Sequence, residues 1–118
     1  MSTGELWCIS KWQMLLWGEY LMHTLNKNNF TDFTKHNGFT VVLFSWNLCK
    51  PCEGVKKQLT PIAQQITCGV IEVSENIQLA DSFKITGFPT LLLFKNGKEV
   101  DRIKGYFTTA QLREWLNL

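Results

Sequence analysis

Two cysteines separated by two residues are the part of this sequence best suited to chemistry. Cys49 and Cys52 flank Lys50 and Pro51, and thiols at this spacing can close a small disulfide ring. The β-branched and aromatic residues 40–46 precede the pair and predict a buried strand, whereas apolar residues at helical spacing follow it. At the start of a helix, unpaired N–H groups and a partial positive charge favour the thiolate, which is the reactive form of cysteine. The arrangement therefore indicates electron exchange through sulfur.

Composition narrows the classes of protein that fit. A chain of 118 residues, 45% of them hydrophobic, is sufficient for one soluble domain whose core needs no disulfide staples. The net charge of +2, without a Lys/Arg cluster interleaved with aromatic residues, argues against a nucleic-acid partner. Four cysteines, two of them in the motif, do not make a secreted disulfide scaffold at this length. We therefore expect a reducing compartment and a cytoplasmic location.

The two motif cysteines could instead form half of a zinc site. Zinc requires two further ligands, and the remaining candidates show no second paired spacing: Cys8, Cys68, His23 and His36. We therefore predict no metal site. Cys68 is interpreted as a small buried hydrophobe rather than a regulatory thiol, and both histidines as solvated surface residues.

Residues 1–22 form an N-terminal extension whose composition differs from that of the rest. Its Trp-, Leu- and Met-rich part is interrupted by polar residues, and it is too short for a membrane span and lacks the features of a signal peptide. Because its apolar residues surround a helical wheel, we favour a helix that packs on the domain or on a second copy. Two alternatives stay open, namely docking on a membrane surface or partner, and a shorter natural product that starts at Met22. The sequence leaves the oligomeric state open.

Beyond residue 25, helical and extended patterns alternate. Pro61 should kink the helix that follows the motif, and Cys68-Gly69 should end it. Asn96-Gly97 is a hairpin signal, and the continuous apolar run 90–94 predicts a strand buried on both faces. The order of elements predicts an α/β fold with a mixed sheet between helices. The predicted ranges are a helix at 28–34 capped by Asn28 or Asn29, a strand at 40–46, a helix at 53–66, a strand at 70–73, a helix at 77–83, strands at 90–94 and 99–104, and a final helix capped by Thr108 or Thr109.

The chain resembles the thioredoxin family from about residue 25 to residue 118. Four features carry the resemblance: Cys49-Lys50-Pro51-Cys52 after an apolar strand, Gly87-Phe88-Pro89-Thr90, the run 90–97, and Gly105 beyond the hairpin. The resemblance implies the thioredoxin fold for residues 23–118, with a central mixed β-sheet flanked by helices on both faces. It also implies thiol–disulfide exchange with protein disulfides.

The same resemblance implies roles for individual residues. Cys49 would be the exposed attacking thiol and Cys52 the buried resolving thiol. Pro89 would follow a cis peptide bond, the main chain at Phe88 would pair with a substrate segment, and Gly105 would keep that groove open. A reductase of the thioredoxin-reductase type or a thiol pool would reset the pair, and no metal or organic cofactor is needed.

A buried acid that the family usually carries is missing from this sequence. Leu43 stands at its position, six residues before Cys49, and Val70 stands near the position of the lysine that often pairs with it. General-base assistance is worth about a hundredfold to ten-thousandfold, so deprotonation of Cys52 should be slower here. The loss supports an alternative function, a weakly active or redox-inert partner-binding module. Retention of both cysteines with Pro89 favours the enzyme.

Two further departures lie beside the motif. Leu48 stands where the family has tryptophan, and Trp46, two positions earlier, could contact substrate or pack at the rim of the core. Lys50 replaces the usual glycine, and a cation beside Cys49 favours its thiolate. We therefore predict that the pKa of Cys49 lies below the free value of about 8.5. We also predict a potential less reducing than the thioredoxin value of about −270 mV.

Overall fold

Five strands of the chain form one mixed β-sheet. The computed structural model describes residues 22–35 and 38–118. The strands are β1 (Met22–Leu25), β2 (Phe39–Ser45), β3 (Thr67–Glu72), β4 (Thr90–Lys95) and β5 (Lys98–Lys104). The helices are α1 (Phe30–Thr34), α2 (Lys50–Leu59), α3 (Ile77–Ser82) and α4 (Thr109–Leu116), and 3₁₀ turns occupy Ile62–Gln64 and Val73–Glu75. Across the sheet the order is β1-β3-β2-β4-β5, with β1 and β2 parallel to β3, and β4 antiparallel to β2 and β5.

Side chains of β2 contribute to two apolar cores, one on each face of the sheet. Val41 and Leu43 pack with side chains of α2 and α4. Val42 and Phe44 pack on the opposite face with side chains of α1 and α3. Successive side chains of a strand point to opposite faces, so a core on both faces requires a continuously apolar strand. The same holds for β4, which is buried from Thr90 to Phe94. The predicted mixed sheet with helices on both faces is confirmed.

The structure has a first strand, β1, that the sequence analysis did not predict. Met22, which the sequence analysis placed at the end of the extension, is the first residue of this strand and is 8% exposed. It pairs in parallel register with Cys68 of β3. His23 and Thr24 are exposed, so the strand carries no apolar run that the sequence would reveal. The expectation of a helix earlier in the extension lies outside the described residues.

The predicted helix 53–66 is wrong at its C-terminal end. Helix α2 stops at Leu59, and Pro61 opens the following 3₁₀ turn instead of kinking a continuous helix. Proline has no N–H to continue the helical hydrogen bonds. The Thr60 hydroxyl donates to the Lys56 carbonyl, 3.0 Å away, at the end of the helix. Cys68 and Gly69 do not end a helix but lie within β3. A side chain at Gly69 would collide with Leu25, because its Cβ would lie 2.5 Å from a Leu25 methyl carbon.

The local sequence signals at turns and caps agree more closely with the structure. Asn96 and Gly97 both have positive φ, +53° and +84°, as a two-residue hairpin turn requires. Thr108 caps α4 in a capping box with Gln111. Asn29 occupies the N-cap position of α1, but its side chain accepts from the Asn26 N–H instead of capping the helix.

The outer strand β5 lies at one edge of the sheet and is largely exposed. Its pairing with β4 is irregular, because Leu93 lies opposite Asp101 whereas Phe94 lies opposite Glu99. Val100 therefore has no partner across the ladder and forms a β-bulge. The side chain of Arg102 on this strand donates to the Phe83 carbonyl, which ties β5 to the end of α3.

Candidate active site

The motif cysteines lie at the N-terminus of α2 and are joined by a disulfide bond. Their Cα atoms are 5.2 Å apart. Cys49 is the N-cap residue, and its sulfur accepts a hydrogen bond from the Cys52 N–H at 3.1 Å. Pro51 lies in the first turn, where a missing N–H leaves no helical bond unmade. The structure thus brings the two sulfurs together at a helix start, in the setting that the spacing predicts.

The two sulfurs differ in their access to solvent. Cys52 is fully buried, whereas Cys49 is only partly buried. The residues on either side of Cys49 are open, with Lys50 exposed and Leu48 86% exposed. A large partner can therefore approach Cys49 but not Cys52. The sequence analysis noted Leu48 as a replacement, but the spacing gave no sign that it would be so exposed.

The loop that includes Pro89 packs beside the motif through aromatic rings. The Phe88–Pro89 peptide bond is cis, as expected. The Phe88 ring lies against Trp46 with 5.6 Å between centroids, and the Trp46 carbonyl accepts from the Cys49 N–H at 3.0 Å. Trp46 thereby links the loop directly to the first motif cysteine, and it is partly buried at the rim of the core. The Thr90 hydroxyl donates to a carbonyl of the same loop.

Gly105 fixes the other side of this loop. Its N–H donates to the Pro89 carbonyl at 2.9 Å. Its φ is +113°, a conformation that side-chain-bearing residues rarely adopt, and the space where a Cβ would lie is empty. Glycine is therefore required here by the backbone conformation rather than by a close neighbour, and an open surface remains above it.

Tyr106 lies beside the helix that begins at the motif, and the sequence analysis did not name it. It follows Gly105 and is 49% exposed, and its ring lies against α2. A Cβ at Gly54 would lie 2.9 Å from that ring, so glycine two residues after Cys52 allows this contact. The contact joins distant parts of the chain, so the sequence offers little sign of it beyond an aromatic residue directly after Gly105.

Two apolar residues face each other at or near the positions where the resemblance leads us to expect a buried acid and its lysine partner. Leu43 of β2 and Val70 of β3 are cross-strand partners, and Leu43 is fully buried. A cavity of about 300 Å³ adjoins Val70 and is lined by Met22, Thr24, Glu53, Lys56 and Val70. The Glu53 and Lys56 side chains on its wall approach to 4.0 Å and are 66% and 37% exposed, so they form a weak surface ion pair.

Cys68 is a third thiol, and it is chemically shielded. It is fully buried in β3, and its sulfur donates to the Ile66 carbonyl. Burial raises the pKa of this thiol to about 12, so it stays protonated at neutral pH and is a poor nucleophile. The interpretation of Cys68 as a small buried hydrophobe is confirmed. His23 is exposed, and its ring lies at a tilt of 56° to the Phe33 ring, while Cys8 and His36 lie outside the described residues.

Comparison with known proteins identifies the family. A family model described as Thioredoxin matches residues 21–118. This chain belongs to the thioredoxin family. It is 33% identical to a thioredoxin of Chlamydia pneumoniae over 92 residues, which are 72% of this chain and 85% of that protein. It is 30% identical to Thioredoxin C-3 of Corynebacterium nephridii over 97 residues, which are 79% of this chain and 67% of the other.

Solved structures agree with this assignment. A mutant thioredoxin from Halobacterium salinarum superposes with a TM-score of 0.76 at 26% identity, covering 81% of this chain and 87% of the other. Members of the thioredoxin family are generally thiol–disulfide oxidoreductases, and this member carries the closed Cys49–Cys52 pair. Within residues 22–35 and 38–118, no helix combines the length and apolar character needed to cross a membrane. In the same part of the chain, no group of three or more His, Cys, Asp and Glu side chains is placed to hold a metal ion.

Proposed function

We propose that this thioredoxin-family protein reduces, or exchanges, disulfides of client proteins through Cys49 and Cys52. The observation that carries the proposal is the disulfide at the N-terminus of α2, with one sulfur accessible and the other buried. A binding surface has no need of two thiols that can join. The exposed Leu48 and Tyr106, with Trp46 between the motif and the Pro89 loop, offer apolar contacts for an unfolded or extended client segment.

The proposed reaction transfers two electrons from the protein to the client. The Cys49 thiolate attacks one sulfur of the client disulfide, so that a Cys49–client bond forms while the client bond breaks and its other sulfur leaves as a thiolate. Cys52 then loses its proton and attacks the Cys49 sulfur, which closes the bridge and releases the second client sulfur as a thiolate. Both client thiolates take up protons from water. A reductase or a thiol reductant must then return two electrons to the bridge.

Two features support the preparation of Cys49 for attack. The Cys52 N–H already points at the Cys49 sulfur, and a helix N-terminus stabilises negative charge placed there. Lys50 adds a formal positive charge next to the same residue. Cys52 has no carboxylate at the position of Leu43 to accept its proton, so water is the expected acceptor. A cytoplasmic location stays a prediction.

Insulin reduction with dithiothreitol tests the proposed function. Reduced protein is alkylated with iodoacetamide, and the matched control is oxidised protein given the same treatment, in which the bridge protects Cys49 and Cys52. Any other accessible thiol meets the reagent in both samples, and Cys68 is buried in both. We expect the protected sample to accelerate reduction like untreated protein, and the sample alkylated while reduced to fall to the rate of dithiothreitol alone.

A partner-binding module without turnover is the second candidate, and the apolar Leu43–Val70 pair is the observation that favours it. The same assay separates the two functions. Equal rates in the two alkylated samples, neither above dithiothreitol alone, would favour the binding module and contradict the enzyme.

The charge of Lys50 should make the Cys49–Cys52 disulfide more oxidising. A cation that stabilises the thiolate stabilises the reduced protein, and about 30 mV corresponds to about 1.4 kcal/mol in this two-electron couple. We expect Lys50→Gly to raise the pKa of Cys49 and to lower the reduction potential by about 10–30 mV. Equilibration with glutathione buffers measures the potential, and the rate of alkylation against pH measures the pKa.

Lys98→Gln is the matched control for this shift. Lys98 is exposed at the β4–β5 hairpin, so its removal changes the net charge equally without changing the field at the helix start. A wild-type potential at or below about −270 mV, or an equal shift in both variants, would contradict the role assigned to Lys50.

A further inference from the structure

A small cavity beside the Pro89 loop has a strongly cationic lining. It has a volume of about 160 Å³ and lies between the segment that follows α3 and the strand β5. Three of its lining residues are cationic, two carry hydroxyls, one is apolar and none is acidic: Lys84, Arg102, Lys104, Thr86, Thr90 and Ile103. Cationic and hydroxyl groups that converge without an acid favour a negatively charged group between them.

The wall of this cavity is shared with the loop to which a client is expected to pair. Lys104 lies opposite Thr90 in the β4–β5 ladder. Its aliphatic stem runs past Gly87, where a Cβ would lie 3.1 Å from the Lys104 Cδ. Its ammonium group lies 3.5 Å from the Thr86 hydroxyl. A side chain of a client segment laid along Phe88 would therefore pass the mouth of the cavity.

Two of the three cations are free to bind a partner. Arg102 is occupied, because its guanidinium donates to Glu99 at 2.7 Å and to the Phe83 carbonyl at 3.0 Å. Among the described residues, no carboxylate lies within ion-pair distance of the ammonium groups of Lys84 or Lys104. After Glu99 offsets Arg102, the cavity keeps two uncompensated positive charges.

We infer that this cavity binds the carboxylate of an Asp or Glu residue that flanks the target cysteine of a client protein. The inference rests on the proposed function, because the Phe88–Pro89 loop must hold the client segment for its neighbouring side chain to reach Lys104. Carboxylate binding in the cavity would give the protein a preference for clients with an acidic residue beside the target cysteine, which the two motif cysteines alone do not supply. Electrostatic contacts of this kind act chiefly on partner choice and on the rate of encounter, and they weaken as salt is added.

Reduction of matched peptides tests the inference. Two synthetic peptides carry the same internal disulfide, one flanked by Glu and Asp and the other by Gln and Asn, and kcat/KM is measured for each at low ionic strength. We expect the wild type to prefer the acidic peptide by about threefold to tenfold, since exposed ion pairs contribute only modestly to binding. The double variant Lys84→Gln/Lys104→Gln should reduce this ratio to about one. The ratio cancels any general change in activity.

Lys98→Gln again serves as the control, because it also replaces an exposed lysine by glutamine but lies away from the cavity. It should keep the wild-type preference for the acidic peptide. An unchanged ratio in the double variant, or an equal loss in Lys98→Gln, would show that the cavity does not recognise the carboxylate. If the wild type reduces neither peptide, the proposed function fails. In that case, fluorescence anisotropy with cysteine-free forms of the two peptides decides the inference separately. Tighter wild-type binding of the acidic peptide that the double variant loses would support the cavity, and equal Kd values would overturn it.

Discussion

Replacing Cys52 by serine is expected to leave client proteins covalently attached to Cys49. In the proposed reaction the buried Cys52 breaks the mixed disulfide, and it is held next to Cys49, with Cα atoms 5.2 Å apart. An intramolecular thiol at this distance acts at a high effective concentration, so we expect Cys52→Ser to lower insulin turnover by about a hundredfold or more. The trapped complexes should be visible on a non-reducing gel and should disappear when dithiothreitol is added.

Two variants give this experiment its controls. Cys49→Ser should be equally slow in insulin reduction but should trap no clients, because the accessible sulfur is gone. Cys68→Ala removes a buried thiol that burial keeps protonated, and it should behave as the wild type in both assays. Trapping by Cys49→Ser that exceeds trapping by Cys52→Ser would reverse the assigned roles of the two sulfurs.

Replacing Leu43 by aspartate is expected to destabilise the fold, and to do so more strongly as the pH rises. Leu43 is fully buried opposite Val70, so a carboxylate there would lose its hydration without gaining a cationic partner. Desolvation raises the pKa of such a carboxyl above its unfolded value of about 3.9. The folded state then holds the proton more tightly than the unfolded state. The stability difference from wild type therefore widens above about pH 4 by up to about 1.4 kcal/mol per pH unit, until the raised pKa is passed.

Urea unfolding at several pH values measures this difference, with Leu43→Asn as the matched control. Asparagine has nearly the same shape and is polar but cannot ionise, so its loss of about 2–3 kcal/mol should not depend on pH in this range. Parallel pH profiles for the two variants would mean that the position is more hydrated than its burial indicates. The expected result would show that the apolar Leu43–Val70 pair stabilises the sheet, whereas a carboxylate that could accept a proton there would destabilise it.

The sequence predicted those parts of the fold that short-range chemistry determines. A helix beginning at the motif, the Asn96-Gly97 hairpin and the Thr108 cap each depend on residues close together in the chain. The Cys49–Cys52 pair belongs to the same class, and so the sequence alone predicts the centre of the candidate site.

Features that depend on distant contacts could not be predicted in the same way. Strand β1 has only four residues and two exposed polar positions, and its pairing with β3 defines it. Gly69 looked like the end of a helix, although it is required by the close approach of Leu25. Tyr106 contacts α2 because Gly54 leaves room for its ring. In each case the determining partner lies far away along the chain.

The bulged outer strand β5 has a consequence for how other polypeptides can meet this molecule. A flat, unpaired strand would invite a second chain to add to the sheet by main-chain hydrogen bonding, which leads to self-association. Here most residues of the strand, from Lys98 to Lys104, carry charged side chains. The extra residue at Val100 also shifts the register of the pairing with β4 and increases the local twist. Strand addition at this border is thereby discouraged, and the cis-proline loop is left as the more favourable place for an extended polypeptide to dock.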